Sequence, residues 1–124
     1  MALLLVAISN KEWSALVGEF LQENGFQVVT AFSLEESIEL VKSRHLDGIV
    51  MTADWAIAET GDGSETLIGL AKDKIPTVTI VEGGNYEILD VVYYHSVIQE
   101  YVRTPFSREE LVGRLERAMQ NKKK

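Results

Sequence analysis

Apolar positions along this chain change period repeatedly. Leu3 to Ile8 is a continuous apolar run, the pattern of a strand buried on both faces. The period then becomes helical. Trp13, Leu16, Val17, Phe20 and Leu21 fall at i, i+3, i+4, i+7 and i+8 and form one stripe. Ser9 or Asn10 supplies the N-cap, and Gly25 supplies a left-handed stop. Gln27 to Ala31 reads as a second strand. Ser33 and Glu36, spaced S-x-x-E, open a helix that runs to about Arg44. Gly48 to Ala53 is predicted as the third strand, with a long polar loop from Asp54 to Gly63 after it. Ser64 to Lys72 reads as a short helix, and the fourth strand starts near Pro76, where proline is tolerated. Gly83-Gly84-Asn85 is a turn, Tyr86 to about Tyr94 is predicted helical, and Gln99 to Arg103 is a short fifth strand. Ser107 and Glu110 repeat the capping spacing ahead of a fifth helix striped by Leu111, Leu115, Ala118 and Met119.

Five strand–helix units with short connections predict an α/β fold: a doubly wound, five-stranded parallel sheet covered on both faces through right-handed crossovers. The expected strand order is 2-1-3-4-5, the flavodoxin-like arrangement. Residues 1–120 form one domain in this reading, and 121–124 a solvated basic tail or the start of a linker. Ligands of such sheets gather outside the carboxyl ends of the strands, here Ile8-Ser9, Thr52, Val81 and Thr104.

Composition narrows the chemistry. With 124 residues, 46% hydrophobic and 25% charged, the chain is an ordinary globular sequence. Its net charge of −7 argues against nucleic acid as a direct ligand, because phosphate neutralisation needs clustered Lys and Arg. The chain has no cysteine, which excludes disulfides, a thiolate nucleophile and a thiolate zinc site. The N-terminal apolar run is too short to span a membrane and has neither the basic flank nor the cleavage site of a signal peptide. The expected location is the cytoplasm, with no membrane partner.

The segment from Glu19 to Met51, the strand around Ile75 to Val81, and the run from Tyr101 to Met119 together resemble the response-regulator receiver domain, the CheY-like phosphoacceptor module. The resemblance covers nearly the whole chain. It implies two acids after the first strand that hold Mg²⁺, and the matching positions here are Ile8 and Ser9. It implies a phosphoacceptor aspartate at the end of the third strand, where this chain has Thr52. A hydroxyl residue should end the fourth strand, and Val81 stands there. A lysine should precede the proline after the fifth strand, and Thr104 takes its place. All five positions depart from the pattern, so the chain reads as a degenerate pseudo-receiver. Mg²⁺ wants hard oxygen ligands, an acyl phosphate needs a carboxylate nucleophile, and phosphoryl transfer depends on charge stabilisation by metal and cation. No catalytic residue, metal or cofactor is expected.

Asp54 is the alternative phosphoacceptor. A residue two beyond Thr52 would keep the same strand face, since side chains repeat every second residue. A second alternative is a small-ligand sensor using the vacated, more apolar pocket. The acids Glu59, Asp62 and Glu65 do not match an EF-hand spacing, and Glu82 to Asn85 lacks the Lys-Ser/Thr of a phosphate loop. Tyr93, Tyr94, Tyr101, Arg103 and Arg108 mark the expected interaction face. It is formed by the fourth helix, fifth strand and fifth helix, and used for a protein partner or a homodimer. The resemblance also implies a cis peptide at Thr104-Pro105. The function expected from sequence is therefore phosphorylation-independent protein–protein interaction in signal transduction.

Overall fold

In the computed structural model, which describes residues 2–58, 66–71, 74–81, 100–103 and 106–122, strand and helix alternate from the first residues onward. β1 (Leu3–Ala7), α1 (Lys11–Glu23), β2 (Gln27–Thr30), α2 (Leu34–Ser43) and β3 (Gly48–Thr52) come first. Two five-residue helices follow, α3 (Ala53–Ile57) and α4 (Leu67–Ala71), then β4 (Thr77–Val81), β5 (Glu100–Arg103) and α5 (Arg108–Lys122).

Local signals explain most boundaries. Asn10, not Ser9, caps α1: its Oδ1 accepts the Trp13 N–H at 3.0 Å. Gly25 ends that helix with φ 91°, a conformation any side chain would strain. Ser33 Oγ accepts the Glu36 N–H at 3.1 Å, and the Glu36 carboxylate reaches back to the Phe32 N–H at 2.8 Å, one residue earlier than in the usual capping box. Ser107 Oγ takes the Glu110 N–H at 3.1 Å at the start of α5.

The sequence reading needs correction at four places. β2 stops at Thr30 rather than Ala31. β1 stops at Ala7, with Ile8 buried just beyond it. β3 stops at Thr52 rather than Ala53, and the expected polar loop begins as helix α3. Ala53 and Ala56 are both buried, so a helical turn takes two small apolar side chains inward where an extended loop would expose one of them. Leu16 is 61% exposed although it belongs to the apolar stripe of α1. The predicted turn at 83–85 and helix at 86–94 lie outside the described residues.

All strand pairs are parallel and the order is β2-β1-β3-β4-β5, as the alternation predicts. Pleating divides the apolar runs between two cores, which is why β1 and β3 are apolar throughout. On one face Leu4, Val6, Val50 and Val78 meet Phe20 and Leu21 of α1 and Leu111 and Leu115 of α5. On the other, Leu5, Ile49 and Met51 meet Ile38 of α2, Ala56 of α3 and Leu67 of α4. Gly48 permits the close approach of α5: a Cβ there would lie 2.9 Å from Leu4 Cδ2 and 3.4 Å from Leu115 Cδ1. Among the described residues, no helix is long and apolar enough to cross a membrane.

Candidate functional site

Register brings the sequence-predicted positions to one edge of the sheet. Ala7 lies opposite Met51, Thr52 opposite Ile80 and Val81 opposite Arg103. Ile8 is therefore level with Thr52, and Val81 lies one residue beyond Ile80, the partner of Thr52, all at the carboxyl edge where doubly wound sheets bind ligands.

Ile8 is only 2% exposed and Val81 1%. Ile8 continues the inward parity of Leu4 and Val6 and belongs to the α1/α5 core. Thr52 is half-buried and stands at the N-cap position of α3, yet its side chain caps nothing there. Its hydroxyl is turned to the loop after β1. It accepts the Ser9 N–H at 3.2 Å and donates to Ser9 Oγ at 3.4 Å. The edge thus joins β3 to the β1–α1 loop through two neutral hydroxyls, flanked by two buried aliphatic side chains. Neither a hydroxyl pair nor an aliphatic pair supplies a carboxylate nucleophile or anionic metal ligands.

Asp54 is exposed in the first turn of α3, and its Oδ1 accepts the Trp55 N–H at 2.9 Å. The period-two alternation of a strand does not extend to it, because the chain has turned helical at Ala53. Among the described residues, no three His, Asp or Glu side chains are grouped so that they could hold a metal ion. A hollow of about 210 Å³ lies on the β2 side of the edge, lined by residues that include Ile8, Ser9, Lys11 and Phe32. That volume is below the ~300–1,000 Å³ usual for small-molecule sites. Thr104 and Pro105, with the expected cis peptide, lie outside the described residues, as do Tyr93, Tyr94 and the acids of the 59–65 loop.

Of the residues expected at an interaction face, Tyr101 is half-buried on β5 opposite Thr79, and Arg103 ends the same strand. Arg108 turns instead towards α1. Its guanidinium sits 5.7 Å from the centre of the Phe20 ring and 3.7 Å from Glu23 Oε2. This contact marks a feature the sequence reading did not name: a trough between α1 and α5. Trp13 and Phe106 close one end edge-to-face, with ring centres 5.9 Å apart. The signal for it was Gly113, a glycine inside a helix where alanine would be more favourable by about 1 kcal/mol. A Cβ added at Gly113 meets nothing within 4 Å.

No family model and no curated protein matches the chain. Solved structures do. The receiver domain of the Francisella response regulator 1452 superposes with a TM-score of 0.76 at 22% identity, covering 98% of both chains. A response regulator receiver domain protein from Clostridium thermocellum gives 0.77 at 16% identity, over 99% of this chain and 98% of that one. NtrX from Brucella abortus, solved in complex with ADP, gives 0.79 at 24% identity over 98% of this chain. This chain spans only 28% of the length of that NtrX chain. The fold is therefore that of CheY-like receiver domains.

Proposed function

We propose that this domain is a pseudo-receiver: a signalling module that binds protein partners without being phosphorylated. The observation that supports this most is the composition of the sheet edge. Ile8 and Val81 are buried aliphatic residues, and Thr52 spends its hydroxyl on Ser9. A receiver's chemistry needs a carboxylate that attacks phosphorus, further carboxylates that hold Mg²⁺, and a cation that balances the phosphoryl oxygens. In this chain the matching residues are Thr52, Ile8 with Ser9, and Thr104. Losing one component leaves slow chemistry, whereas losing all of them leaves no transition-state stabilisation to build on. What remains for the domain is binding. The fifth strand, with Tyr101 and Arg103, and the fifth helix are the proposed partner face. Acidic net charge keeps nucleic acid out of the reading.

Incubation with acetyl phosphate and Mg²⁺, followed by intact-mass spectrometry, tests the proposal. The expected spectrum contains unmodified chain only. A phosphoryl adduct that disappears in Asp54→Asn would replace this reading with a phosphorylatable regulator using Asp54.

A further inference from the structure

We propose that the hollow on the β2 side of the sheet edge binds a phosphate group, held by the N-terminus of α1, the Lys11 ammonium and the Ser14 hydroxyl. The site is separate from the receiver's phosphoryl position at Thr52. Binding there forms no covalent bond and needs no Mg²⁺. This goes beyond the protein-binding role above and stands without it.

The hollow, about 210 Å³, lies between the first turns of α1 and the end of β2. Its polar wall is Ser9, Lys11, Ser14 and Thr30, and its apolar wall includes Ile8 and Phe32. Ser9 is already engaged: its N–H goes to the Thr52 hydroxyl, and its Oγ accepts from Thr52. Ser14 is not. It is 5% exposed, and its Oγ is buried with no hydrogen-bond partner. Helical geometry directs it into the hollow. Lys11, Ser14, Ala15 and Gly18 share one face of α1. A Cβ on Gly18 would meet Val28 Cγ1 at 3.7 Å and Thr30 Oγ1 at 3.9 Å, so that face lies on β2. A crossover helix runs back against the strand direction. Ser14, one turn before Gly18, therefore stands past Thr30, over the opening that follows the strand. Buried hydroxyls without a partner are rare, and each needs a reason. Here the hydroxyl is the donor that a ligand oxygen meets.

The first turn of α1 adds donors and positive charge at the same place. Asn10 takes the N–H groups of Trp13 and Ser14, at 3.0 and 2.9 Å, through its side chain and its carbonyl. The N–H groups of Lys11 and Glu12 precede the first intrahelical acceptor and stay open to a ligand. α1 has 13 residues, so its dipole adds partial positive charge at this end. Lys11 brings a full charge to the wall, whereas Glu12, the acid of the same turn, is exposed and lies outside it. Donors arriving from a helix end, an ammonium and a hydroxyl suit a tetrahedral dianion better than a planar carboxylate. The volume suits a phosphate group rather than a larger molecule. Phe32, 72% exposed beside it, offers an apolar plane to whatever the phosphate is attached to. Free phosphate and a phosphate ester share this chemistry.

Amide NMR of the full isotope-labelled chain tests this, with inorganic phosphate, phenyl phosphate or acetate added at constant ionic strength and without Mg²⁺. The expected result is saturable shifts at Lys11, Glu12 and Ser14 with either phosphate, and far weaker binding of acetate. Tighter binding of phenyl phosphate, with the preference lost in Phe32→Ala, would assign a phosphate ester. Equal affinities would assign free phosphate. Ser14→Ala should weaken binding about tenfold, because it removes a hydrogen bond to a charged group. Lys11→Gln should also weaken it and reduce its dependence on salt. Neither variant should lower Tm. Ser14→Ala deletes a buried hydroxyl that has no partner and improves helix propensity, and Lys11 is exposed. Absence of saturation, acetate bound as tightly as phosphate, or affinity unchanged in both variants would overturn the proposal. So would shifts that require Mg²⁺ and centre on Thr52 and Asp54, which would overturn the phosphorylation-independent reading as well. Failure without such shifts leaves that reading standing.

Discussion

Leu115→Ala is expected to cost about 3–5 kcal/mol of stability, the upper part of the range for leucine truncation in a core. Leu115 is fully buried and holds α5 against the sheet. Its Cδ1 lies over Gly48, 3.4 Å from where a Cβ would be, and Gly48 has no side chain that could relax into the space left behind. The cavity therefore persists, and cavity volume is what separates expensive truncations from cheap ones. Leu16→Ala is the control. It removes the same atoms from the same kind of apolar stripe, but at a position 61% exposed, so its effect should stay within about 0.5 kcal/mol. Urea denaturation measures both. The midpoint should drop sharply for Leu115→Ala with the slope unchanged, and hardly move for Leu16→Ala. Equal losses would mean that the stripe of α1 is covered more fully than the structure shows.

Placing an acid at the first receiver position should be almost as damaging. Ile8→Asp exchanges a side chain that is 2% exposed, packed in the α1/α5 core, for a carboxylate. Lost packing and a buried ionisable group together should cost about 3–5 kcal/mol. Ser9→Asp, one residue further on and exposed, should cost less than about 1 kcal/mol. The pH dependence has a definite sign. Burial raises the folded-state pKa of the new aspartate above its unfolded value of about 3.9, so the native state binds more protons. Stability of Ile8→Asp is then greatest, relative to the unmodified chain, below about pH 4 and is lost as pH rises through the folded pKa. Denaturation midpoints for the two chains between pH 4 and pH 7 should diverge as pH rises. Constant separation would show that the aspartate at position 8 reaches water. The divergence would also mean that the sheet edge has repacked around its aliphatic residues, so that metal ligands cannot be restored there one at a time.

The sheet was legible because both of its faces are covered. Unbroken apolar runs in β1 and β3 and the helical stripes between them report burial, S-x-x-E caps mark helix starts, and the parallel order follows from their alternation. Leu16 was misread for a physical reason: the helical stripe of α1 is wider than the strip that the sheet and α5 cover. Helix α3 was missed because it is only five residues long and has no side-chain cap: Thr52, at its N-cap position, gives its hydroxyl to Ser9, 43 positions away in sequence. Sequence spacing carries no trace of that contact. The same holds for Arg108. The stripe of α5 tells which face is buried but not which neighbouring helix an exposed arginine will meet. Only the return of β5 to the far edge and of α5 to the side of α1 brings it over Phe20. The strand ends themselves were read one residue too far at β1 and β3, because an apolar residue that follows a strand, such as Ile8 or Ala53, extends the apolar run without extending the strand.

The most direct measurement is a titration of the isotope-labelled chain with Mg²⁺ and beryllofluoride, a mimic of the phosphoryl group, followed by amide NMR shifts. The expected result is no saturable change at Ile8, Ser9, Thr52 or Asp54 at millimolar Mg²⁺. Saturable, Mg²⁺-dependent shifts centred on Ser9, Thr52 and Asp54 would contradict a binding-only domain and restore a working phosphoryl site.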